Sequence, residues 1–78
     1  MEIIRLRDGE YCLIIDDEVC DLYIAKLLSI EYDLYIGILK THGACLDDTN
    51  GEYWFDTKEQ VEILTKELEP YYIFSQTN

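Results

Sequence analysis

Apolar and polar residues alternate over residues 2–15 and the alternation breaks only at Asp8-Gly9, a pair favoured in two-residue turns, so the pattern predicts an antiparallel hairpin. Setting Arg7 opposite Glu10 pairs Leu6 with Tyr11, Ile4 with Leu13 and Glu2 with Ile15 on the core side. Arg5 and Cys12, and Ile3 and Ile14, then pair on the other face. Asp16, Asp17 and Glu18 end the hairpin and precede a helix over 19–28, whose polar residues Glu18, Asp21, Lys26 and Ser29 gather on one arc. Ser29 reads as the N-cap of a second helix over 31–42, in which Leu34 and Ile38, and Tyr35 and Leu39, are i,i+4 pairs and Gly43 is the stop. Gly37 keeps a competing reading open, because Leu34, Ile36 and Ile38 also alternate with Tyr35, Gly37 and Leu39, as in a buried strand over 34–41.

Turn-forming Asp48-Thr49-Asn50-Gly51 separates two short apolar stretches, 44–47 and 52–55, and predicts a second hairpin. A helix follows from about Thr57. Asp56 and Glu59 have the spacing of a reciprocal capping box, Val61, Leu64 and Leu68 form a buried stripe with Ile63 beside them, and Lys58, Glu62, Lys66 and Glu69 face water. Pro70 is expected to end this helix, leaving 71–74 as an extended last strand or docked tail and 75–78 frayed. The order ββ-α-α-ββ-α-β implies one α+β domain over 1–78, a two-layer sandwich with an antiparallel sheet and helices on one side.

Composition sharpens this picture through charge. Apolar residues make up 49% of the 78 positions, enough to build a core, while 17 acidic against 6 basic residues give a net charge of −11. Direct nucleic-acid binding needs a basic footprint, which four Lys and two Arg without a cluster do not provide. The stretch AKLLSIEYDLYIGILKTHGA, residues 25–44, has the rhythm of a helix-turn-helix, yet its second helix would meet DNA with Glu31 and Asp33. Three cysteines, Cys12, Cys20 and Cys45, stand in apolar surroundings with no CxxC pair, which suits buried thiols in a reducing cytoplasm. No run has the length to span a membrane or the layout of a signal peptide.

Three chemistries compete with structural explanations of the same residues. Asp48, Asn50, Glu52, the Trp54 carbonyl, Asp56 and Glu59 fit a calcium-loop register, but Tyr53 stands where the sharp-turn glycine belongs, so a hairpin and a helix cap explain them better. His42 and Cys45 could begin a zinc site, but Cys12 and Cys20 lie at unrelated spacings. The single His has no nucleophile motif beside it, so the chain is expected to be no enzyme and to hold no cofactor or metal.

The acidic surface remains. Carboxylates on a rigid small fold can imitate a phosphate track and occupy a nucleic-acid channel on a basic protein. The expected partner-binding residues are Asp16, Asp17, Glu18, Asp21, Asp47, Asp48 and Glu52, with Trp54 as an aromatic anchor. In length, acidity and the ending YWFDTKEQVEILTKELEPYYI, the chain resembles small acidic proteins of phages and mobile elements, among them anti-CRISPR and other DNA-mimic inhibitors. That resemblance implies stoichiometric inhibition of a host-defence nucleic-acid enzyme in the cytoplasm. The alternative is a structural or regulatory module that homodimerises, its acidity serving solubility.

Overall fold

The first hairpin forms in the predicted register. The computed structural model describes residues 4–7 and 9–77, and in it β1 (Ile4–Arg7) pairs antiparallel with β2 (Glu10–Leu13), Ile4 opposite Leu13, Arg5 opposite Cys12, Leu6 opposite Tyr11 and Arg7 opposite Glu10. The predicted pairs of Glu2 and Ile3, and Asp8 of the turn, lie outside the described residues. Leu13 and Ile15 are buried, with Ile4 and Tyr11 packed against them, so the side assigned to the core is the core side. Cys12 on the opposite face is buried as well, its Sγ lying 4.0 Å from the Arg5 carbonyl.

Two helices follow. α1 (Asp21–Leu27) and α2 (Tyr32–Thr41) are both helical as expected, which resolves 34–41 in favour of helix. Their ends use one device. Ile30 N–H bonds the Ala25 carbonyl and Ser29 N–H the Lys26 carbonyl; Ala44 N–H bonds Leu39 and Gly43 N–H bonds Lys40. Each set is the double hydrogen bond of a helix terminated by a left-handed residue. Ser29 at φ 57° and Gly43 at φ 90° occupy that position, so Ser29 ends α1 rather than capping α2, whose N-cap is Glu31 without a side-chain bond. At Gly43 a Cβ would meet only the Gln60 side chain, whose flexible end, Nε2, would lie 2.5 Å away and can move, so it is the positive φ that calls for glycine there.

β3 (Cys45–Leu46) and β4 (Tyr53–Trp54) form the second hairpin around residues 47–52. Asp47 N–H bonds the Glu52 carbonyl at 2.8 Å, and side chains shape the turn, Asp47 accepting from Thr49 N–H and Asn50 from Glu52 N–H. The antiparallel strands make two two-stranded sheets, not the single sheet expected. They meet at one bridge, where Tyr11 and Phe55 exchange backbone bonds of 3.0 and 2.7 Å. Pairing cannot extend further, because Phe55 turns its ring into the core at 1% exposure and the chain must then enter the last helix.

α3 (Lys58–Thr77) is the largest departure. Its capping box is Thr57 with Gln60, not Asp56 with Glu59: Thr57 N–H donates to Gln60 Oε1 at 3.1 Å, and Gln60 N–H to Thr57 Oγ1 at 3.3 Å. The shift follows from Phe55, whose pairing with Tyr11 delays the helix start. The expected last strand at 71–74 does not exist, because the helix runs through Pro70 to Thr77, with Asn78 outside the described residues. Proline costs an interior helix about 3 kcal/mol. Burial outweighs it: Val61, Leu64 and Leu68 are in the core, Tyr72 continues the stripe one turn beyond Leu68 and past the proline, and Ser75 Oγ bonds the Tyr72 carbonyl at 2.9 Å. Ile63, expected beside the core, is half-exposed.

The fold is therefore α+β, its core drawn from Leu13 and Ile15, from Ile24, Ala25 and Leu28, from Tyr35, Ile36 and Leu39, and from Phe55 and α3. Among the described residues no helix is long and apolar enough to cross a membrane.

Candidate functional site

The acids expected to bind a partner divide into three environments. Asp16 and Asp17 form the tip of a two-residue turn closed by reciprocal bonds between Ile15 and Glu18, of 2.9 and 3.2 Å. Both adopt positive φ, 51° and 66°, and both are exposed together with Glu18. Two adjacent left-handed residues make the turn whose twist suits a hairpin, and the sequence that forms it most cheaply is Asn-Gly or Gly-Gly. Here two carboxylates stand side by side instead.

The second environment is the turn at 47–52. Asp48 is exposed, while Asp47 and Glu52 are half-buried within the network that holds the turn. Leu46 beside them is half-exposed. Trp54, expected as an aromatic anchor, is half-buried opposite Cys45.

Asp21 is the third and a correction. Expected on the solvent arc of α1, it is 6% exposed, because the buried stripe of that helix is Asp21, Ile24, Ala25 and Leu28, while Leu22 and Tyr23 face outward. An acid this deep cannot belong to an exposed patch. Its Oδ2 accepts Tyr53 N–H at 3.1 Å, tying the first turn of α1 to β4. Burial lifts its pKa from 3.8 to about 6, the Tyr53 hydrogen bond opposes the rise, and the Glu52 carboxylate adds to it. The grouping is thus Asp21 with Glu52 and Tyr53, not with Asp16 to Glu18.

Tyr32 and Tyr35 of α2 complete this cluster, which sequence reasoning missed. Both phenols are raised, first by burial and then by the Asp21 charge. The Tyr35 hydroxyl is fully buried and, among the described residues, has no hydrogen-bond partner. The available signal was spacing, since Asp21 precedes Ile24 by three residues and Leu28 by seven.

The residues weighed for zinc have other partners. His42 Nε2 bonds the Glu67 carboxylate of α3, and Cys45 Sγ points to the Gly43 carbonyl at 3.8 Å. Cys12, Cys20 and Cys45 are free thiols. A shallow apolar cleft between β2, α1 and α3, lined by Leu13, Leu28, Leu68 and Tyr72, carries Thr65 and Glu69 at its rim and offers no converging set of catalytic groups. No protein-family model, curated protein or solved structure matches the chain.

Proposed function

We propose that this chain is a small acidic protein-binding inhibitor, acting without catalysis in the cytoplasm by occupying the basic nucleic-acid-binding surface of a host-defence or other nucleic-acid-handling protein. The observation that carries the reading is the Asp16-Asp17 turn. Left-handed backbone costs an ordinary residue about 1 kcal/mol, and neighbouring carboxylates repel, so the turn accepts two penalties that Asn-Gly would avoid. What it gains is a fixed, exposed pair of negative charges followed directly by Glu18. Asp48, with half-exposed Leu46 nearby, supplies a second anionic point with an apolar anchor. The charge of −11 adds long-range steering toward a basic surface. The resemblance to anti-CRISPR and DNA-mimic inhibitors of phages suggests host defence as the class of target.

Combining Asp16→Asn, Asp17→Asn, Glu18→Gln and Asp48→Asn tests this. Binding to the captured partner should weaken roughly tenfold to a hundredfold at low salt and lose most of its salt dependence. Unchanged affinity would remove charge from the account.

A second reading, a self-associating module, draws on half-exposed Leu22, Tyr23, Leu34, Leu46, Ile63 and Ile73. Light scattering separates the two: a monomeric mass across salt concentrations favours the inhibitor, and a stable dimer favours the module.

A further inference from the structure

Three of the polar devices among the described residues hold the second hairpin at its base, at its turn and against α1. Tyr11 and Phe55 exchange backbone bonds at its base, Asp47 and Glu52 close its turn, and Asp21 accepts Tyr53 N–H from 32 residues away. The first two are backbone pairs indifferent to pH. The third depends on a carboxyl whose surroundings disfavour its charge. Cys20 precedes it on α1, Tyr32 and the unpartnered Tyr35 phenol stand toward it from α2, and Glu52 and Tyr53 from the hairpin. None of these is a cation, and Glu52 is a like charge.

We propose that Asp21 is a proton-operated latch that fastens the second hairpin, and the acidic turn it carries, to the helix pair. In the closed form the carboxyl holds a proton, its carbonyl oxygen still accepts Tyr53 N–H, and a neutral group occupies the buried site. Losing the proton to solvent leaves a carboxylate that water solvates better than the site does. Opening then becomes more frequent: in the open form the charge is in water and the Tyr53 amide is free to exchange, while the hairpin remains anchored at Phe55. Opening is therefore local and independent of any partner, so the latch stands or falls separately from the inhibitor reading.

Hydrogen exchange on the isolated protein at pH 5 and pH 7.5, corrected for intrinsic rates, tests this residue by residue. With Asp21 near 6 when closed and 3.8 when open, the Tyr53 amide should open roughly tenfold more often at pH 7.5, while the Phe55 and Tyr11 amides keep their protection. Asp21→Asn should abolish the difference and the exposed-site control Asp48→Asn should keep it. Equal loss of protection at Tyr53 and Phe55, or none at Tyr53, would overturn the latch. Should Asp21→Asn not fold, a carbon-detected titration of wild-type Asp21 decides: a midpoint near 6 that moves the Tyr53 amide supports the latch, and one near 3.8 overturns it.

Discussion

Asp16, Asp17 and Ser29 hold positive φ without being glycine, and each does so for a turn or helix end that would otherwise not close. Ser29→Gly should therefore stabilise the protein by about 0.5–1 kcal/mol, read from the urea midpoint, because the left-handed position needs no side chain. Replacing Asp16-Asp17 with Asn-Gly should likewise raise the midpoint while weakening partner binding, a trade of stability against function. Tyr35→Phe should be neutral or stabilising, since an unpartnered buried hydroxyl costs about 1–3 kcal/mol; a loss beyond about 1 kcal/mol would mean that the phenol has a partner in solution. Asp21 gives stability a definite pH dependence. Its folded pKa lies above its free value, so its contribution is complete below 3.8 and is lost as the pH rises through about 6. Melting wild type and Asp21→Asn between pH 4 and 8 should show a steeper fall in the wild type, on the order of 3 kcal/mol in full, and parallel curves would contradict the burial of Asp21.

Elements were legible where short-range rules act alone. The first hairpin could be read to its register because turn length and alternation fix it, and α2 because Gly43 supplies the left-handed stop its end requires. Legibility failed where tertiary contacts overrode local chemistry. Ser29 has N-cap chemistry but closes α1, Asp21 looks like a surface acid but lies on the buried stripe, and Pro70 looks like a terminator but sits on the exposed side of a helix whose other face is buried on both sides of it in the chain. Phe55 illustrates the same point, since its long-range pairing with Tyr11 moves the cap from Asp56 to Thr57. Pro70→Ala should restore the missing hydrogen bond and stabilise α3 by about 1–3 kcal/mol in thermal melts. A destabilised variant would contradict a continuous helix. Gly37→Ala, on an exposed helical position with nothing within 4 Å of the added carbon, should add about 0.5–1 kcal/mol.

At the scale of the molecule, the tension is between a continuous core and a charge of −11 on 78 residues. The candidate site was partly legible: the acidic turns could be read from composition, and Asp16, Asp17, Glu18 and Asp48 are exposed. Asp21 and its tyrosines could not, because burial is decided by which face of α1 the rest of the chain covers. Self-repulsion should make the protein more stable as salt screens it, so the melting temperature should rise by a few degrees between about 0.02 and 0.5 M sodium chloride. Partner binding should respond in the opposite direction. The most direct test of the central claim is capture from a bacterial extract on the immobilised protein at low salt, with parallel elution by duplex DNA and by salt alone. The account predicts that a basic nucleic-acid enzyme is retained, that DNA releases it, and that the charge-neutralised variant retains much less. Retention that DNA does not disturb, or equal retention by the variant, would contradict it.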